Sequence, residues 1–224
     1  MKINIFDYIY PPKCVHCGAY LREPAALCGS CRALWEREKN AACKVCGKAH
    51  SGCVCNIHLA PYDKNARGAA GSMVLKIKNR GHVHINKFLS AELAALIADR
   101  IKINENTVVV NVPRSVRKKR EHGTDQTERL AELVSSALKI KYYGVLTNRG
   151  SVQQKLLKAE DRFINAENAY GVKAKKIGKI AGKEIILLDD VITTGATAAK
   201  CRELLLNAGA ADVTPVSVCV TSND

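Results

Sequence analysis

Eight cysteines fall within the first 55 residues, at Cys14, Cys17, Cys28, Cys31, Cys43, Cys46, Cys53 and Cys55, and the chemistry they suit is metal ligation. Cys14-Val-His-Cys17 and Cys28-Gly-Ser-Cys31 are two Cys-x-x-Cys knuckles ten residues apart. That spacing can bring four thiolates into a tetrahedron around zinc. Cys43-Lys-Val-Cys46 with Cys53-Val-Cys55 is looser, because its second pair is Cys-x-Cys and a shorter loop must close it. One or two structural zinc ions are expected, and spacing alone leaves open whether the knuckles pair sequentially or crosswise. Four sulfurs leave no coordination position for water, so catalytic zinc is not expected. Gly18 and Gly47 each follow the second cysteine of a pair, where a tight turn at positive φ lets N–H groups point at sulfur. His16, His50 and His58 are alternative nitrogen ligands but are expected to be surface histidines. Arg22, Arg32, Arg37, Lys39, Lys44 and Lys48 around the arrays suggest a docking face for nucleic acid or protein.

The second constellation is Asp189-Asp190-Val191-Ile192-Thr193-Thr194-Gly195-Ala196-Thr197, which follows the apolar run Ile185-Ile-Leu-Leu188. A strand delivers two adjacent carboxylates, and a hydroxyl-rich loop then opens a helix. Gly195 permits close backbone approach, and a helix N-terminus favours an anion by roughly 0.3 to 2 kcal/mol. The lysine of a P-loop is missing. Two carboxylates beside a phosphate would repel it, so they are expected to face vicinal ribose hydroxyls. A phosphate with a sugar beyond it is a phosphoribosyl group. No histidine forms a triad with serine or cysteine, and Cys201 and Cys219 lie in apolar runs as core residues.

These residues need elements to hold them. The 47% apolar content of the 224 residues is enough for a core, and disorder, collagen-like repeats and membrane-spanning runs are excluded. Without an evident leader, a cytoplasmic protein with reduced thiols is expected. The Cys-rich module is placed at residues 1–59 and an α/β domain at 60–224. Helical periodicity is read over Lys87 to Ile101, Thr124 to Leu138 and Ala196 to Asn207, the last ending at Gly209. Strands are read at Val108 to Val112, Lys139 to Leu146, from Glu184, and at Val213 to Val220. The alternation predicts a parallel sheet with helices on both faces, its ligands beyond the carboxyl ends of the strands.

Ile185 to Ala198 resembles the phosphoribosyl-pyrophosphate (PRPP) motif of type I phosphoribosyltransferases. With the cysteine arrays, the chain resembles the ComF family of competence-associated proteins nearly end to end. Tyr62, Leu75 to Gly81, Val112-Pro113, Gln154, Leu157, Arg162 and Asn165 agree in order. His122-Gly123-Thr124-Asp125-Gln126 departs from the family's Arg-Gly-Phe-Asn-Gln, which implies a different acceptor pocket. The resemblance implies a type I phosphoribosyltransferase-like domain behind a double zinc ribbon. Asp189 and Asp190 would hold the ribose hydroxyls, and Val191 to Thr197 (Val191, Ile192, Thr193, Thr194, Gly195, Ala196, Thr197) the 5′-phosphate. Pro113 and Arg114, with Lys76 or Lys78 nearby, would contact pyrophosphate bridged by Mg2+. The chemistry implied is displacement of pyrophosphate from PRPP, with an unidentified acceptor, in DNA uptake and natural transformation. The alternative is a non-catalytic protein that uses the same fold to bind single-stranded DNA or other competence proteins.

The charge fits either reading. The chain carries a formal +14, and each zinc held by four thiolates carries −2, so two centres leave about +10. A polyanion or a phosphorylated ligand is the implied partner. Arg117, Lys118, Lys119 and Arg120 follow a strand end at the expected ligand face and are read as pyrophosphate or nucleic-acid contacts. Lys173, Lys175, Lys176, Lys179 and Lys183 are read as surface. With aromatics at only 5%, sequence-specific single-strand stacking is not expected. Ile3, Ile5, Phe6, Tyr8 and Ile9 are expected to pack on the larger domain, with contact to the inner face of the membrane as the alternative.

Overall fold

The computed structural model describes residues 11–62, 68–79, 83–115, 125–148 and 169–221. The Lys78 side chain, Arg117, Lys118, Lys119, Arg120, the N-terminal apolar residues, Gln154, Leu157, Arg162 and Asn165 lie outside the described residues.

The strands are β1 (Ile57–Pro61), β2 (Thr107–Asn111), β3 (Lys141–Tyr142), β4 (Leu146–Asn148), β5 (Tyr170–Val172), β6 (Glu184–Ile192) and β7 (Asp212–Val220). The α-helices of the described residues are α1 (Gly29–Asn40), α2 (Ala69–Asn79), α3 (Val83–Arg100), α4 (Gln126–Leu138) and α5 (Ala196–Asn207). Five strands form one sheet in the order β1-β7-β6-β2-β3, with every neighbouring pair parallel. Among the described residues, no helix is long and apolar enough to cross a membrane.

The period-two geometry of a strand divides the apolar residues between the faces. Val109, Ile186, Leu188, Val216 and Val218 join one core with Trp35, Met73, Ile85, Leu89, Leu130 and Val134 of the first four helices. Val108, Val110, Ile185, Leu187 and Val213 join the opposite core with Ile180 and with Cys201 and Leu205 of α5. Burial on both faces is why β2 and β6 read as unbroken apolar runs. Cys201 and Cys219 are fully buried, and burial pushes the Cys201 thiol up to about 12, so both are core groups.

Three elements differ from their sequence reading. The strand read over Lys139 to Leu146 is divided, because Lys139 takes a left-handed conformation (φ 57°) that ends α4. Only Lys141–Tyr142 joins the sheet, and Leu146–Asn148 pairs antiparallel with β5. The turn between them needs Gly144, since a Cβ there would lie 2.8 Å from the Tyr142 hydroxyl. α4 begins at Gln126 because Asp125 is its N-cap. Finally, β1 lacks any strand expectation in the sequence, yet it forms the sheet edge beside β7, and the module boundary placed at 59/60 falls inside it.

Candidate functional site

The cysteines converge as two sequential sets. The sulfurs of Cys14, Cys17, Cys28 and Cys31 lie within 4.8 Å of one another, as do those of Cys43, Cys46, Cys53 and Cys55. Zn–S bonds of about 2.3 Å in a tetrahedron place sulfurs about 3.8 Å apart. Cys17 to Cys28 is 3.7 Å and Cys46 to Cys53 is 3.6 Å, so both sets fit zinc, the Cys-x-Cys set included. The two knuckle turns share one geometry: Gly18 (φ 75°) donates its N–H to the Cys14 carbonyl, and Gly47 (φ 70°) to that of Cys43. Amides aimed at sulfur come from neighbouring residues. Burial pushes the Cys14 thiol up, but N–H groups of Cys17, Cys28 and His16 outweigh it and hold it at about 6. The Val54 and Lys48 amides bring Cys46 down to about 6. One cysteine of each set is thus held toward thiolate, the form that binds metal, while burial pushes the Cys31, Cys53 and Cys55 thiols up.

The histidines are not ligands in these sets. His16 Nδ1 meets Ser72 Oγ at 2.8 Å. Contrary to the surface reading, His50 and His58 are buried and face each other, Nδ1 to Nε2, at 2.7 Å. His58 Nδ1 lies 3.1 Å from the Asn56 carbonyl. An N–H at that Nδ1 leaves Nε2 to accept from His50, so both rings are satisfied while neutral. Burial accordingly lowers His50 and brings His58 down to about 4.

The zinc module is wired into the α/β domain. α1 starts between Cys28 and Cys31 and carries the fully buried Trp35. Glu92 of α3 accepts hydrogen bonds from Trp35 Nε1 (3.2 Å), Lys39 (2.6 Å) and Arg32 (3.1 Å). Glu38 accepts from the amides of Ala69 (2.8 Å) and Ala70 (2.9 Å) and so caps α2. Arg100 donates to the carbonyls of Ser51 (3.0 Å) and Cys53 (3.1 Å), tying the second ribbon to the end of α3. Arg32 and Lys39, read from sequence as docking charges, therefore serve an internal junction. Burial opposes the charge of Lys39, but Glu92 and Glu36 raise its pKa overall.

The second site forms where β2 ends beside β6, with Asn111 in register with Leu188, while β6 runs on through Asp189 and Asp190 to Ile192. Three residues beyond Asn111 stands Arg114, and two beyond Leu188 stands Asp190. Arg114 Nη2 lies 3.3 Å from Asp190 Oδ2, and both side chains are largely buried, at 12% and 13% exposure. Asp190 Oδ1 accepts from the Val191 amide (2.8 Å), and Asp189 Oδ1 from the Asp190 amide (2.8 Å). Gly195 takes φ 77° and caps α5. Thr193, Thr194 and Ala196 are exposed, whereas the Ile192 side chain is core and its carbonyl accepts from Thr221. The loop thus brings exposed hydroxyls beside a helix start, an arrangement suited to an anion, with the Ala196 amide donating to Thr194 Oγ1 (3.4 Å).

Pro113 is buried, and its carbonyl accepts from the Asn148 side chain (3.2 Å). Lys76 is exposed on α2. Asp125, read from sequence as a change in an acceptor pocket, caps α4: its Oδ1 accepts from the Glu128 amide (3.4 Å) and Thr127 Oγ1 (2.6 Å). Its Oδ2 accepts from the Arg114 amide (3.1 Å). Asp125-x-x-Glu128 ahead of a helical repeat was the available signal for that cap. Tyr170 was missed altogether; burial raises its phenol, and Thr197 offsets part of that rise. Lys173 and Lys176 both donate to the Gly144 carbonyl (2.8 and 3.1 Å), and Lys179 lies over the Tyr143 ring.

Comparison with known proteins gives a double zinc ribbon domain over residues 5–60. The Escherichia coli K12 DNA utilization protein YhgH is 31% identical over 115 residues, 50% of this chain and 49% of that protein, so the chain spans about half the length of this relative. The Streptococcus pneumoniae competence protein ComFC is 23% identical across 92% of this chain and 99% of its own. Among solved structures, the glutamine PRPP amidotransferase of B. subtilis matches with a TM-score of 0.43 and 17% identity, covering 61% of this chain and 27% of that one.

Proposed function

We propose that this chain is a member of the ComF family, in which a double zinc ribbon precedes a phosphoribosyltransferase-like domain, and that it binds PRPP and acts in DNA uptake. The observation that carries the PRPP reading is the joint placement, around the carboxyl-terminal parts of the parallel neighbours β2 and β6, of two carboxylates, a guanidinium and a threonine-lined helix start. Each part suits one part of the ligand. The Thr193 to Thr197 loop receives the 5′-phosphate, Asp189 and Asp190 accept from the ribose hydroxyls, and the Pro113–Arg114 turn faces the pyrophosphate. Magnesium arriving with the pyrophosphate would neutralise charge on the leaving oxygens.

The expected reaction breaks the bond from ribose C1 to the pyrophosphate oxygen, whose electron pair leaves with pyrophosphate. A lone pair of the acceptor forms the new bond to C1. The protein's contribution is charge placed in advance around the leaving group rather than a covalent intermediate. Zinc held by the two cysteine sets would be structural, since four thiolates would leave no position for substrate, and the ribbon module is tied to α2 and α3 through Glu38, Glu92 and Arg100.

The test is calorimetric titration with PRPP and Mg2+, with pyrophosphate release followed in parallel, for wild type and the Asp189→Asn/Asp190→Asn double variant. Saturable binding by wild type and its loss in the variant are expected. If wild type does not bind, or both proteins bind equally, the PRPP reading is wrong.

A further inference from the structure

We infer that the α/β domain completes both zinc sites from outside, with Ser72 of α2 positioning the first cysteine set and Arg100 of α3 positioning the second. Each contact lands inside a cysteine loop. His16 stands between Cys14 and Cys17, and its ring meets Ser72, 56 residues away in the chain, at 2.8 Å. Arg100 donates to the carbonyls of Ser51 (3.0 Å) and Cys53 (3.1 Å), 49 and 47 residues away.

Arg100 acts on its site through one peptide plane. In a trans peptide the C=O and the following N–H point in opposite directions. The grip on the Cys53 carbonyl therefore turns the Val54 N–H the other way, and the Val54 amide is the leading group that holds the Cys46 thiol down. A guanidinium suits this task, because its rigid fork can take two carbonyls at once. It also stands in the last turn of α3, where the helix favours a cation.

At the first set the knuckle backbone is bonded around His16: Cys14 donates to the Ala19 carbonyl, Val15 to that of Ala26, and Gly18 to that of Cys14. The His16 amide is instead one of the groups that hold the Cys14 thiol toward thiolate. Ser72 fixes the side chain of that same residue, so the aim of the amide depends on α2. Removing contacts that orient the ligands of a metal typically weakens its binding by about 10–100-fold.

The test is site-resolved zinc release. Zinc-loaded full-length protein is treated with increasing chelator and an alkylating agent, and mass spectrometry reads modification of Cys17 and Cys28 for the first set and of Cys46 and Cys55 for the second. Ser72→Ala should open the first set at a chelator concentration about tenfold lower or more, and leave the second as in wild type. Arg100→Met should do the reverse. Ser72→Thr, which keeps the hydroxyl, and Arg100→Lys, which keeps the charge and a donor for one carbonyl, should each recover part of the loss. If Arg100→Met does not fold, Arg100→Lys decides: it must open the second set alone, by a smaller factor. Opening of both sets together in the deciding variants, or of neither, refutes the inference, because a general loosening of the fold would not choose between them. No sugar phosphate enters the experiment, so its outcome stands apart from the PRPP reading.

Discussion

Replacing Glu38 with alanine tests whether the zinc module and the α/β domain form one cooperative unit. The Glu38 carboxylate accepts from the amides of Ala69 and Ala70, residues 0% and 1% exposed, so its removal leaves two N–H groups without their partner at a buried helix start. Hydrogen bonds to a charged acceptor contribute about 1.5–3 kcal/mol each in a buried setting. Glu38 itself is only half-buried, so about 2–3 kcal/mol is expected for the pair together. At about 2–4 °C per kcal/mol for a chain of this size, Glu38→Ala should lower Tm by about 4–12 °C. Gly68 supplies the control. A Cβ at that position would lie 2.9 Å from Glu38 Cδ, so Gly68→Ala in the wild-type background must push the carboxylate off its amides. In the Glu38→Ala background that obstruction is gone, and Gly68→Ala should be close to neutral. Differential scanning calorimetry of the four proteins yields the coupling, expected near 2 kcal/mol. A cost below about 1 kcal/mol for Glu38→Ala, or the same cost of Gly68→Ala in both backgrounds, refutes the capping argument.

Two other outcomes follow from buried polar groups. His58 is held at about 4 against an ordinary 6.5, so the unfolded chain takes up its proton first as pH falls. Its contribution is whole above pH 6.5 and is lost toward pH 4; about 2 kcal/mol should go between pH 7 and about pH 5. Urea unfolding of wild type and His58→Gln at both pH values separates this from zinc release, which the two proteins share, and parallel losses would refute it. Asp125→Ala should cost about 1–2 kcal/mol through its cap on α4, and weaken PRPP binding through the freed Arg114 backbone. Asp125→Asn keeps an acceptor oxygen and should cost less than about 1 kcal/mol; equal Tm losses for the two variants would contradict the cap.

Features legible in the sequence are those that local spacing encodes. The cysteine sets and the strand–acid–threonine–helix run each lie within a few dozen residues, and their residue types suffice to specify the chemistry. The faces of β2 and β6 were also readable, because burial on both sides demands continuous apolar runs. What stayed hidden depends on partners far apart in the chain. Glu38 meeting Ala69, Glu92 gathering Arg32, Trp35 and Lys39, and Arg114 meeting Asp190 carry no periodic signal. β1 escaped notice because five residues, Ile-His-Leu-Ala-Pro, give too short a pattern, and its pairing with β7 bridges most of the chain. The cap that Asp125 places on α4 went unread because the acceptor-pocket reading drew on the same position.

β1 also determines how this protein can be dissected. It begins two residues after Cys55, the last cysteine of the ribbon sets, and the ribbon match ends at residue 60, so the obvious place to cut the chain into two pieces runs through a strand of the larger sheet. A fragment that starts there would present the nine residues of β7, Asp212–Val220, as an open edge with unpaired backbone groups and the apolar Val216 and Val218. Such an edge is a template for pairing with other chains. The ribbon segment therefore acts as the selvage of the sheet, and a fragment that keeps the sheet whole must begin before Ile57.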